Sequence, residues 1–330
     1  MNNILILDTS ITSFNKGDDI IMECTRKELA PLLDASFEVT LPTHVSPFHW
    51  YQVWRNSLYV QRIANCSYKF VGGSNILIPD LLTHFPQWNI NLFNYKPMKG
   101  CILVGVGAGA GAEGKMSRYT RHIYRKLLNN DYYHSTRDER SKRYVERLGL
   151  KAINTGCVTM WMLTPEFCAT IPQEKADKVV FTITASNQPK MKENHQYLLN
   201  TLLKNYHKVY FWPQGIEDYG HFKSLENTET VHILSASKQA YDDYLTNSQT
   251  DYVGTRLHGG VYAMRHGRRA IIIAIDERAR SINEKNHLNC IDCNHLEDLE
   301  GKITSVFETK IVMDFDAIRQ WKSQFKEFNT

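Results

Sequence analysis

No run in this 330-residue chain is long and apolar enough to cross a bilayer, which takes about 20 consecutive apolar residues. The N-terminus, MNNILILDTS, has no cationic n-region and runs straight into a strand pattern, so no signal peptide is expected. An excess of one charge is missing too: 39 Lys and Arg against 35 Asp and Glu leave a net charge of +4, with no cationic run. Nucleic-acid binding through a basic arm is thereby excluded. A small anion, or at most peripheral contact with an anionic membrane face, remains open. Cysteine is scarce; seven, an odd number without regular spacing, exclude a disulfide framework and suit a cytoplasmic location. Cys290 and Cys293 form a C-x-x-C with His287 and His295 nearby, but no second C-x-x-C completes a zinc site. They read as a strand and turn carrying reduced thiols, and no metal is expected. There is no low-complexity segment and no repeat of about 20 to 50 residues, which excludes a solenoid.

What the chain does contain is an alternation. Strand signals at 4–7, 38–41, 68–71, 102–106 and 132–135 are interleaved with helical periodicity over 18–33, 47–64, 118–128 and 139–148. A mixed stretch with Pro165 and Pro172 interrupts at 154–172. Strands resume at 179–184, 209–212, 231–234 and 270–275, with helices over 192–206 and 238–245, and the chain reads as helical from about His295 onward. Buried strands separated by helices predict parallel sheets covered on both faces. The expected fold class is α/β, with two Rossmann-like doubly wound domains at 1–170 and 171–330 and the last helices placed to pack back on the first. Ligands of such sheets sit beyond the carboxyl ends of strands, and two domains face to face would give a two-substrate enzyme its cleft. The aromatic segment SPFHWYQVWRNSLYV, 46–60, reads as a helix packed in the core. Sugar stacking and membrane contact are the other uses of such residues.

The strand ends carry the chemistry. In DYVGTRLHGGVYAMRHGRRAIIIAID, 251–276, Arg256 and His258 follow a strand and precede a helix. Gly259 and Gly260 permit close approach to that helix's N-terminus, whose N–H groups favour an anion. Arginine offers a planar fork for carboxylate or phosphate, and histidine can donate to phosphate or move a proton. Arg137, in STRDERS, is a cation at the positive end of a helix, which a second anion would explain, while Asp138 caps that helix. Asn15-Lys16-Gly17-Asp18-Asp19 follows the first strand; it offers Asp18 or Asp19 as a helix cap, or a loop that presents a carboxylate to the cleft. Gly72-Gly73-Ser74-Asn75 is a tight turn or a cradle of backbone N–H groups. The run from Gly105 to Gly114 can be forced into G-x-G-x-x-G, but it sits in mid-domain and its next strand ends in Ser-Thr-Arg. NAD binding is therefore not expected, and the run reads as a flexible loop over the cleft. Trp212-Pro213-Gln214-Gly215, with Asp218 and His221, could shape a donor or acceptor pocket.

Together these residues resemble the polysaccharide pyruvyl transferase family. The matching pieces are Asn15, Gly17 and Asp18, the glycine loop at Gly72, Arg137-Asp138 with Ser141 and Leu148-Gly149, and above all Thr255-Arg256-Leu257-His258-Gly259. They stand in family order over most of the chain. Family patterns have a fuller glycine run than Gly72-Gly73-Ser74, and often proline where this chain has Arg269. The resemblance implies two Rossmann-like domains arranged like a GT-B glycosyltransferase, acceptor side first and donor side second. It implies phosphoenolpyruvate as donor and co-substrate, with no further cofactor. The acceptor would be a sugar of a surface polysaccharide or its precursor, free, nucleotide-linked or lipid-linked, and the product a pyruvate ketal. Carried onto this chain, Arg137, Arg256 and His258 would hold or activate the donor, with Gly259 and Gly260 beside them. His258 would act as acid and Asp18 would orient or deprotonate an acceptor hydroxyl. Asn15, Gly17, Gly72, Gly73, Asn75 and Gln214 would line the cleft. Two other readings use the same residues: a glycosyltransferase of similar architecture with a nucleotide-sugar donor, and a non-catalytic sugar-binding relative.

Overall fold

The computed structural model describes residues 2–82 and 87–328, with backbone alone for Glu277 and Arg278. It divides into two compact units, one of Met1–Ser13, Ile21–Trp161 and Asp314–Thr330, the other of Phe14–Ile20 and Met162–Met313.

The first unit holds β1 (Asn2–Asp8), α1 (Lys16–Glu28, whose opening residues belong to the other unit), α2 (Ala30–Leu33), β2 (Ser36–Pro42), α3 (Trp50–Trp54), α4 (Leu58–Ala64), β3 (Tyr68–Gly72), β4 (Ile102–Val104), α5 (Arg118–Leu127), β5 (His134–Thr136), α6 (Glu139–Glu146) and β6 (Ala152–Asn154). Ile4, Leu5, Ile6 and Leu7 of β1 are all fully buried, so both faces of the strand are covered. The parallel sheet runs β2-β1-β3-β4, and its order reverses between β1 and β3. Thr9 Oγ1 donates to Gly73 O at 3.1 Å just past that reversal. β5 and β6 pair with each other. β5 meets β4 through side chains, and a backbone bridge follows between Val106 and Thr136. His134 Nδ1 accepts Leu103 N–H at 3.2 Å, its Nε2–H donates to Asn129 O at 2.9 Å, and Ser135 Oγ accepts Gly105 N–H at 2.8 Å. Burial lowers the pKa of His134 to about 4, which keeps this connector neutral.

Three sequence readings change here. The strand expected at 132–135 begins at His134, and β6 falls where the pattern had no strand. The segment 47–64 is two short helices broken at Asn56, which takes a positive φ of 47°. It is not core: α3 buries no residue, and Trp50, Trp54, Leu58 and Tyr59 are exposed while Phe48, Val60 and Ile63 anchor the segment.

The second unit holds α7 (Pro165–Cys168), β7 (Lys178–Thr182), α8 (Pro189–Asn205), β8 (Lys208–Phe211), α9 (Asp218–Lys223), β9 (His232–Ile233), α10 (Lys238–Asn247), β10 (Asp251–Gly254), α11 (Leu257–Arg265), β11 (Ala270–Ala274), α12 (Glu277–Asn286), β12 (Cys290–Asp292) and α13 (Leu299–Thr304); α14 (Phe315–Lys322) returns to the first unit. All strand pairs are parallel, in the order β12-β11-β10-β7-β8-β9. The order reverses between β7 and β10, which makes their carboxyl ends the place to look for a ligand. Each unit has its own apolar core, around Leu5, Val71 and Leu103 in one and Val179, Phe211 and Val253 in the other. The tail is not continuously helical. Between α13 and α14 it has no regular structure and is held where Asn286 Nδ2 donates to Val312 O and Phe307 N–H to Gln173 O. Among the described residues, no helix is long and apolar enough to cross a membrane.

Candidate functional site

In the second unit, Arg256 stands between β10 and α11, at the reversal of the sheet. Tyr252 Oη donates to its carbonyl at 2.7 Å, and its own N–H donates to Thr182 Oγ1 at 3.3 Å, which fixes its backbone to β7. Its guanidinium forks onto Asp218: Nε donates to Oδ2 at 3.1 Å and Nη2 to Oδ1. Asp218 is fully buried and also accepts Gly215 N–H at 2.7 Å and Ala185 N–H at 3.1 Å. Three strand ends, those of β7, β8 and β10, thus converge on one carboxylate that aims Arg256. Gly215 leaves room for the guanidinium in this position, since a Cβ there would lie 2.3 Å from Arg256 Nη2.

His258 lies buried in the first turn of α11. The loop after β1 approaches it: a Cβ on Gly17 would lie 3.4 Å from His258 Nδ1 and 2.8 Å from Gln214 Nε2. That loop is bonded to the one after β8, with Lys16 N–H to Gln214 O at 2.8 Å, Ile216 N–H to Phe14 O at 3.0 Å and Gln214 Nε2 to Asn15 Oδ1 at 2.9 Å. Gln214 is buried, and its Oε1 has no hydrogen-bond partner. A buried acceptor left so is costly, and an N–H or O–H of a ligand would satisfy it. Gly259 and Gly260 pack against Tyr252, and Tyr241 Oη donates to Gly259 O at 2.9 Å. Asp18 is buried in the first turn of α1. Asn15, the residue before α1, accepts Gly17 N–H on its Oδ1 at 3.0 Å. Asn15, Gly17, Asp18, Gln214, Arg256, His258, Gly259 and Gly260 therefore belong to one unit.

Gly72, Gly73, Asn75 and Arg137 belong to the other. Arg137 follows β5 and is buried; its Nη2 donates to Asn75 Oδ1, and its Nε lies 3.4 Å from Asp138 Oδ2. Asp138 caps α6, accepting Ser141 N–H at 2.7 Å. The first half of the glycine run after β4 packs under Arg137, while Ala110, Gly111, Glu113 and Gly114 are exposed. Gly105 to Gly109 are buried, and Gly107 N–H donates to Ser74 O at 2.9 Å, Ala108 N–H to Ser141 Oγ at 2.8 Å and Gly109 N–H to Leu77 O at 2.8 Å. A Cβ on Gly107 would lie 2.5 Å from Arg137 Cζ. Ser74 has a φ of 141°, a glycine conformation at the position where the resembled pattern continues its glycine run.

Sequence reading missed the part played by Asp218. It noted the residue after Trp212-Pro213-Gln214-Gly215, but nothing in a separation of 38 residues pairs it with Arg256. The available signal was Gly215, a small residue at a strand end. His221 extends the polar network: its Nε2 is 2.8 Å from Nδ1 of the buried His195. Burial, then the neighbouring His221 and Arg256, lower His195 to about 3. Cys290 and Cys293 lie on β12 and the turn after it, where Arg280 pairs with Asp292. Among the described residues, no group of three or more His, Cys, Asp or Glu is placed to hold a metal ion.

Among solved structures, the putative UDP-N-acetylglucosamine 2-epimerase from Listeria monocytogenes aligns over 99% of this chain and 97% of its own, with a TM-score of 0.56 at 10% identity. The UDP-GlcNAc 2-epimerase of Methanocaldococcus jannaschii, solved with UDP-GlcNAc and UDP, aligns over 98% of this chain and 100% of its own, with a TM-score of 0.52 at 10% identity. S. aureus MnaA, solved with UDP, aligns over 93% of this chain and 91% of its own, with a TM-score of 0.50 at 9% identity. At such identities the likeness shows the fold, which is GT-B-like with Rossmann-like units. No curated protein matches the sequence. The family model for polysaccharide pyruvyl transferase matches residues 15–277, a span that takes in Asn15, Arg137, Asp218, Arg256 and His258, and the chain belongs to that family.

Proposed function

We propose that the protein moves the pyruvyl group of phosphoenolpyruvate onto two hydroxyls of one sugar, in a surface polysaccharide or its precursor, to form a pyruvate ketal. The observation that carries this reading is the pairing of Arg256, aimed by the buried Asp218, with His258 in the first turn of α11. A guanidinium beside a helix start suits an anionic oxygen, and the histidine beside it suits proton transfer. Phosphoenolpyruvate carries a carboxylate and a phosphate, and Arg256 before the start of α11 offers the planar fork and the helix N–H groups that such anions take. His258 protonates the methylene carbon, which leaves positive charge on C2. One sugar hydroxyl adds to C2, with Asp18 taking its proton. The C2–O bond to phosphate breaks, and phosphate leaves with the electron pair and that proton. The second hydroxyl then closes the ketal and returns a proton to His258. General acid catalysis of this kind is worth roughly 100-fold or more.

A nucleotide-sugar donor is the second reading, favoured by the fold shared with structures solved with UDP. Thermal unfolding separates the two. Phosphoenolpyruvate at about 100 times its Kd should raise Tm by a few degrees, where UDP-, GDP- and CMP-sugars do not. Arg256→Ala should abolish the rise and Arg137→Ala reduce it. A rise with one nucleotide sugar and none with phosphoenolpyruvate assigns Arg256 and His258 to a diphosphate instead. With an acceptor in hand, full phosphate release by His258→Ala would remove the acid role.

A further inference from the structure

None of the residues assigned to the transfer lies on α3 or α4. Trp50 and Trp54 are 63% and 78% exposed, on a helix that buries no residue, and Leu58 and Tyr59 continue the exposed surface along α4. Phe93, also exposed, lies on a neighbouring loop tied to the same surface by Asn94 Nδ2 donating to Ser46 Oγ at 2.8 Å. Folding ordinarily hides tryptophan, and a cluster of this size marks a surface that meets something.

The charge around it names the partner. Residues 39–79 contain no Asp or Glu, while Arg55 and Arg62 are exposed, Arg55 over the Tyr51 ring at 5.9 Å. Helix α5, joined to the loop of Phe93 through Tyr119, repeats the pattern. Arg118, Arg121 and Arg125 are exposed, residues 114–130 contain no acid, and Tyr119 Oη accepts Leu92 N–H at 3.2 Å beside Phe93. A second copy of the chain would fit poorly, because a two-fold interface sets a patch against itself and would press arginine on arginine. Tryptophan and tyrosine with flanking arginines suit the headgroup layer of a bilayer, where the rings enter the interface and the cations meet anionic lipid.

We propose that α3, α4 and α5 form a docking surface for an anionic lipid bilayer, through which the protein binds a membrane peripherally. The test floats the full-length chain with phosphatidylcholine vesicles and with vesicles that carry one quarter phosphatidylglycerol. Partition to the anionic vesicles alone, released by high salt, is expected. Trp50→Ser with Trp54→Ser should lower it. Arg55→Glu with Arg62→Glu should lower it about fivefold or more for each arginine reversed. Melting temperatures should stay unchanged, since these side chains are exposed. Absence of binding, or equal binding by the variants, overturns the proposal. So does a dimer in sedimentation equilibrium that the same substitutions dissolve, which would make the face a self-association surface. The assay holds neither donor nor acceptor, so its result is separate from that of the transfer reaction.

Discussion

At the residue scale, the proposed chemistry rests on side chains that glycine makes room for. Gly107 leaves the space that the Arg137 guanidinium fills, and Gly215 does the same for Arg256. The sequence shows both arginines as cations after strands, and that is where they stand, because a strand's end is a local signal. It does not show which glycine serves which arginine, since Gly107 and Arg137 are 30 positions apart. Gly107→Ala is the sharp probe. The new methyl group meets the end of a flexible side chain, so Arg137 must move while the backbone stays. We expect a loss of about tenfold or more in kcat/KM for phosphoenolpyruvate, equivalent to about 1.4 kcal/mol, with Tm shifted by no more than a few degrees. An unchanged kcat/KM would remove Arg137 from the donor's surroundings.

At the element scale, β10 and β11 owe their ends to a buried ion pair. Arg269 stands where family patterns often have proline, and it is almost completely buried. Its Nη1 donates to Asp251 Oδ2 at 2.7 Å, and its Nη2 to the carbonyls of Ile303 and Ser305, at 2.9 and 2.8 Å. Tyr206 Oη donates to the same carboxylate at 2.8 Å, and Phe307 lies against the guanidinium. One side chain thus joins the amino ends of two strands to the end of α13, a task proline cannot perform. Arg269→Met leaves Asp251 buried without its cation and should cost about 3 kcal/mol or more, read as a lower urea midpoint. The periodicity of both strands was legible in the sequence, whereas this pair was not, because the strands alone do not say that the tail returns to them.

At the scale of the whole molecule, each unit buries a histidine that stays neutral, His134 in one and His195 in the other. Their folded pKa values, about 4 and about 3, lie below the ordinary value of 6.5. As pH falls below about 6.5 the unfolded chain takes up protons that the folded chain refuses. Stability is therefore lost toward low pH, by up to ~1.4 kcal/mol per pH unit for each histidine, until the folded forms protonate. Urea unfolding at pH 7 and pH 4.5 should show the fall, and a flat profile would mean that neither histidine is held neutral. The alternation of strands and helices made two Rossmann-like units legible. The seam at His134 and the exposed face of α3 were not, since both depend on what packs beside them.

The sequence by itself determined the α/β class, the strand ends that carry Arg137, Arg256 and His258, and the family to which they belong. These are local properties, set by the spacing of apolar residues and by short motifs. Tertiary structure alone decided that Asp218 aims Arg256, that the loop of Asn15 and Gly17 joins the unit of His258, and that Gly105 to Gly109 lie buried beneath Arg137. Each joins residues far apart in the chain. Which strand lies beside which, fixed by the burial of both faces of each sheet, chooses the partners.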